Sequence, residues 1–89
     1  MARSTQDART LSEIFAVAKI CGAENVLCND TETGIVLAGS DTNTLEPGTI
    51  ANKRSRGELN IPFYKAGREP RYRLSDLLIY RNKHMRDVA

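Results

Sequence analysis

The 89-residue chain has no tryptophan, one histidine, two cysteines, and only 6% aromatic residues. Each scarcity removes a class of chemistry. Six residues separate Cys21 from Cys28, a spacing that matches no common zinc motif, and His84 lies far from both. The cysteines are therefore expected to be reduced, at least partly buried thiols, with no metal site and no cofactor. No window approaches the roughly 18 apolar residues that span a bilayer. The opening MARSTQDARTLSE has no apolar core of signal-peptide type. A cytoplasmic protein without membrane contact is expected. Glycine-rich phosphate loops are also missing, since Gly67-Arg68-Glu69-Pro70 is too short to be one. His84 has no nucleophile near it in sequence, so nothing points to an enzyme.

What is present is an uneven distribution of charge. Residues 1–50 carry three basic and seven acidic groups, a net −4, whereas residues 51–89 carry ten basic and four acidic groups, a net +6. A locally basic surface attracts a polyanion even when the whole chain is nearly neutral. At this length, with 40% hydrophobic residues, the chain holds one modest core and hence one domain.

Residues 1–9 are polar and expected to fray, leaving 10–89 as the folded domain. Thr10 and Glu13 fit a capping box, and Leu11, Ile14, Phe15, Ala18 and Cys21 follow helical spacing up to Gly22. A helix over 10–22 follows. In the next stretch, Asp30 or Thr31 can cap a helix from about Glu32 to Ala38, closed by Gly39. Gly34 and the β-branched run Ile35-Val36 leave a buried strand as the alternative. After the polar loop 40–46, Pro47 suits the first position of a helix ending near Gly57. Only Ile50 and Ala51 of that helix suit a core, so it is expected to display its other side chains. Ile61–Lys65 and Arg71–Leu74 flank the turn signal AGREP and read as a hairpin over 61–74. Ser75 or Asp76 then caps a last helix over 75–86, with Arg81, Lys83, His84 and Arg86 towards its negative end.

This order predicts a mainly α fold with a small β-hairpin: a single winged helix-turn-helix domain over 10–89, with an added helix at 10–22, the helix-turn-helix at 31–57, the wing at 61–74 and a C-terminal helix at 75–86. In that arrangement the second helix of the pair lies in the DNA major groove, and the hairpin wing lies along the backbone. Asn matches adenine edges and Arg or Lys guanine edges, so Thr49, Asn52, Lys53 and Arg56 are expected on the groove side. Arg54 is expected at the DNA backbone or buttressing the wing. Lys65, Arg68, Arg71 and Arg73 form the wing's expected phosphate-facing edge. Alternation sets Arg71 and Arg73 on one face and Tyr72 and Leu74 on the other, with Tyr72, Phe63, Pro62 and Leu74 as packing.

Residues 47–80 also carry a resemblance. Pro-Gly-Thr-Ile-Ala-Asn at 47–52, Arg-Ser-Arg-Gly at 54–57, Pro-Phe-Tyr-Lys at 62–65, Gly-Arg at 67–68 and Arg-Tyr-Arg-Leu-Ser-Asp-Leu at 71–77 resemble the excisionase-like family. These small winged-helix proteins are related to the DNA-binding domain of mercury-resistance-type regulators. The resemblance covers somewhat over a third of the chain. Lys53 stands where the family usually has Trp, Glu46 replaces a Ser-type cap, and the loop 39–46 is longer than the usual turn. The resemblance implies a recombination directionality factor that binds attachment-site DNA, steers a tyrosine integrase towards excision and associates cooperatively with itself on DNA. A small transcriptional regulator is the alternative within DNA binding. A protein-interaction module or inhibitor is the alternative outside it.

Overall fold

A computed structural model of the chain describes residues 8–85, the side chains of Ala66, His84 and Met85 excepted. The expectations for residues 1–7 and for Arg86 lie outside the described residues. The fold is mainly helical, with one small antiparallel sheet. Helix α1 spans Leu11–Cys21. Its capping box is formed: Thr10 Oγ1 accepts from the Glu13 N–H, and Glu13 Oε1 accepts from the Thr10 N–H at 2.8 Å. Gly22, at φ 95°, ends it, and Ile14 is its buried anchor.

A short 3₁₀ turn at Ala23–Asn25 leads to β1, Leu27–Cys28, a strand the sequence did not announce. Helix α2, Asp30–Ala38, follows. Its cap is Asn29, not Asp30 or Thr31. Asn29 Oδ1 accepts from the Glu32 N–H at 2.8 Å, and Glu32 Oε1 accepts from the Asn29 N–H at 3.1 Å, a second capping box. These caps and the left-handed Gly39 resolve the 32–38 ambiguity in favour of helix. The six residues Glu32 to Leu37 are all buried, so the apolar run had no period to read.

The loop 40–46 crosses α2 at Gly34, where a Cβ would run into the Leu45 carbonyl. Helix α3, Pro47–Ser55, starts with Pro47 in its first turn, and the Glu46 side chain makes no capping bond. It closes in a Schellman motif: the Glu58 N–H reaches the Lys53 carbonyl at 2.8 Å, and Gly57 sits at φ 71°.

Strands β2 (Tyr64–Ala66) and β3 (Glu69–Arg73) form the hairpin, and helix α4 (Leu74–Met85) follows directly. The turn is only Gly67–Arg68, tighter than AGREP, because Gly67 takes φ 70° and lets Ala66 pair with Glu69. Pro70 lies within β3 opposite Lys65, beyond the reach of β1, so its missing N–H interrupts no ladder on that side. Leu74 belongs to α4 rather than to the strand; its N–H donates to the Val26 carbonyl at 2.8 Å. Ser75 and Asp76 therefore sit within the first helical turn instead of capping it. The sheet order is β1-β3-β2.

Tyr72, Ile14, Ile50, Leu74 and Leu77 are fully buried and form the centre of the core. Phe63 and Pro62 are not part of it. Phe63 is 41% exposed and Ile61 takes the inward position, since the chain enters β2 along the surface. Cys28 is buried as expected, but Cys21 is exposed at the end of α1. Arg9, placed by sequence in the fraying tail, is tied to Glu32. Among the described residues no helix is long and apolar enough to cross a membrane.

Candidate nucleic-acid interface

Helix α3 presents the side chains expected to read DNA, and burial sorts them. Asn52 and Arg56 are exposed, Thr49 is half-buried and Ile50 is fully buried beneath them. Gly48, Asn52, Ser55 and Arg56 recur at helical spacing as an exposed stripe along the helix and its end. Ser55 was not singled out from sequence, although the period starting at Gly48 passes through it. Its hydroxyl adds a donor and acceptor between the two longer side chains. Space above Gly48 is open, with nothing within 4 Å of where a Cβ would lie. Among the described residues Arg56 makes only a long 3.5 Å ion pair with exposed Glu58, a contact it can exchange for another partner.

Lys53 departs from the expected face. It is half-buried and lines an apolar groove of about 380 Å³ with Leu37, Leu45, Ile50, Leu59 and Tyr80. Its methylene stem covers that groove, as lysine stems do on apolar surface.

Arg54 is held inside the protein. It reaches Asp30, the first residue of α2, with a two-pronged contact: Nη1 donates to Oδ1 at 2.8 Å and Nη2 to Oδ2 at 3.1 Å. Nη1 also donates to the Tyr72 hydroxyl at 3.3 Å. The guanidinium lies 5.6 Å from the Phe63 ring centre and 6.0 Å from that of Tyr72. Its hydrogen bonds to Asp30 hold its pKa above the usual arginine value, against the opposing effect of burial. Arg54 thus links α3 to the start of α2 and to Phe63 and Tyr72.

The hairpin cations do not share one face. Tyr64 pairs with Arg71 across the hairpin and Leu27 pairs with Arg73, so these four side chains belong to the outer face of the sheet. There the Arg73 guanidinium stacks 4.6 Å from the Tyr64 ring centre, and Arg71 pairs with Glu69 at 3.1 Å. Lys65 has the opposite parity, that of Tyr72, but sits beyond the core and is exposed. Arg68 is exposed in the turn. Among the described residues neither Lys65 nor Arg68 has an ion-pair partner, so both remain fully available to an anion.

Arg81 of α4, expected to offset its own helix end, instead fills the space above Gly39, at the negative end of α2. Among the described residues no three His, Cys, Asp or Glu side chains gather as a metal ion would need.

No family model, curated protein or solved structure matches this chain.

Proposed function

We propose that the chain binds double-stranded DNA sequence-specifically as a winged helix-turn-helix protein, by contact alone and without catalysis or cofactor. Helices α2 and α3 form the pair, α3 reads the major groove, and the β2–β3 hairpin is the wing. One observation carries the reading: the exposed stripe Gly48-Asn52-Ser55-Arg56 runs along a nine-residue helix and its C-terminal cap, and that helix gives the core one fully buried side chain, Ile50. A helix serving the core alone would bury an apolar stripe along its length. The hairpin supports the reading by displaying Lys65 and Arg68, which form no ion pair with another described residue, the disposition suited to phosphates.

Within this function we assign the role of an excisionase or recombination directionality factor, acting with a tyrosine integrase on attachment-site DNA and associating cooperatively along it. That assignment rests on the resemblance of residues 47–80 alone; operator-directed transcriptional regulation would use the same surface. The test begins with duplexes selected by the protein from a random pool. Gel retardation at physiological salt in excess nonspecific competitor is expected to retain them. Absence of any retained duplex would reject DNA binding and leave a protein-interaction module as the reading. An excision assay on the element's attachment sites then separates the recombination role from the transcriptional one.

A further inference from the structure

One guanidinium touches three separate segments. Arg54 belongs to α3, Asp30 opens α2, and Phe63 and Tyr72 belong to the hairpin and its approach. The Arg54 and Asp30 side chains are 18% and 17% exposed. From these contacts we infer that Arg54 is a positioning residue, which fixes the angle between the reading helix and the wing and contributes no phosphate contact of its own. The inference deepens the DNA-binding reading and rests on it.

The physical case has two parts. Asp30 already neutralises the Arg54 charge, so a nearby phosphate would have to compete with a fork-to-carboxylate pair sheltered from water. The same fork is planar and directional: two parallel bonds to Asp30, with the rings of Phe63 and Tyr72 close by, fix its position and tilt. A lysine would supply the charge without that geometry. Because α3 carries Asn52 and Arg56 while the hairpin carries Lys65 and Arg68, a change in their relative angle alters how many can engage one duplex together. Base-edge bonds tolerate little misplacement and phosphate contacts tolerate more. Loss of Arg54 should therefore reduce selectivity more than total affinity.

The experiment compares Arg54→Lys, Arg54→Gln and Asp30→Asn with the unmodified chain. Each is measured on the selected duplex and on a scrambled duplex at several salt concentrations. A phosphate contact and a buttress give opposite results for Asp30→Asn: removing Asp30 frees a phosphate-binding Arg54 and tightens binding, but disorganises a positioning Arg54 and loosens it. The expectation is a roughly tenfold loss of the selected-to-scrambled ratio in all three variants. The salt slope should change by less than about half a unit, against about 0.9 for each true phosphate contact. Amide chemical shifts should move in both α3 and the hairpin, and circular dichroism should verify the fold of each variant. Arg54→Lys behaving as the unmodified chain would overturn the proposal. So would tighter binding by Asp30→Asn, or loss of about 0.9 units of slope in Arg54→Gln. Failure of the unmodified chain to bind any duplex rejects the DNA reading itself, and the role of Arg54 in DNA recognition with it. The amide shifts would still decide whether Arg54 ties α3 to the hairpin: movement confined to one element would overturn that link, and movement in both would support it.

Discussion

Arg9 Nε lies 2.7 Å from Glu32 Oε2, and Arg9 also donates its backbone N–H to the same oxygen at 3.0 Å. Its Nη2 bonds both Glu32 Oε1 and the Leu27 carbonyl. The segment before α1 is thus fastened to the start of α2 through a carboxylate that is only 4% exposed, and to β1 through the Leu27 carbonyl. Burial alone would push the Glu32 pKa up; hydrogen bonds from Arg9 and Asn29 outweigh it and hold the carboxyl below its usual value.

Removing Arg9 leaves that buried carboxylate without its partner. Arg9→Ala is expected to cost about 2–3 kcal/mol, less than the roughly 3–5 kcal/mol of a fully buried broken pair because Arg9 itself is partly exposed. Because Glu32 titrates lower in the folded state than in the unfolded one, its stabilisation is fully present above the ordinary carboxyl pKa. It is lost as pH falls through the folded value. Urea denaturation between neutral pH and pH 3 should show the unmodified protein losing this increment and Arg9→Ala losing much less. Parallel pH profiles would reject the account.

Gly34 and Gly48 should respond oppositely to alanine. At Gly34 the new methyl meets the Leu45 carbonyl, and that backbone oxygen cannot swing aside as a flexible side chain does. Helix propensity gains about 1 kcal/mol from Gly→Ala, but overpacking costs about 1–3 kcal/mol or more, so Gly34→Ala should destabilise. Gly48 has open space and negative φ, so Gly48→Ala should be neutral or stabilising by up to about 1 kcal/mol. Denaturation midpoints of the two variants shifting in the same direction would contradict the packing described at Leu45.

The two thiols should differ in reactivity. Cys28 is buried, and burial followed by the nearby Glu32 charge pushes its thiol up to about 12, while Cys21 stands exposed. At pH 8 a thiol reagent should label one cysteine quickly and the second only on unfolding. The raised value favours the neutral thiol in the folded state. Its contribution to stability is therefore lost progressively as pH rises from the ordinary thiol range towards 12. Equal labelling rates for both cysteines would show that Cys28 is not sheltered.

The proposed reading helix and the proposed wing should fail in different ways. Asn52→Ala is expected to cost about 1–3 kcal/mol on the selected duplex and little on a scrambled one. Arg68→Ala should weaken both alike and reduce the salt slope by about one unit, with stability unchanged within about 0.5 kcal/mol. Titrations at several salt concentrations separate the two signatures. If Asn52→Ala weakened both duplexes equally, α3 would not be the reading helix.

The sequence was most legible where local chemistry decides local structure. The Thr10–Glu13 capping box, Pro47 in the first turn of α3, Gly67 in the hairpin turn and buried Tyr72 could all be read from spacing and residue type. Strand β1 could not, because two residues have no period and their pairing partners lie more than 40 positions away. Phe63 was misplaced because a large apolar ring was read as packing, whereas it precedes β2 and stays 41% exposed. In the candidate interface, Asn52, Arg56 and Arg68 stood out as exposed polar groups. The inward turn of Arg54 and the groove-lining stem of Lys53 depend on Asp30 and Leu37, which tertiary folding alone brings near.

Strand β1 has a further effect through what it covers. Leu27 and Cys28 pair with Arg73 and Tyr72 along the edge of β3 away from β2. Without them, a chain beginning at α2 would present that edge with open hydrogen-bonding groups, an invitation to pair with a strand from another molecule. The helix ahead of β1 and the Arg9 clasp hold a two-residue cover in place. The segment ahead of α2 thus shields that edge of β3 from another strand, and trimming it is expected to show first as aggregation.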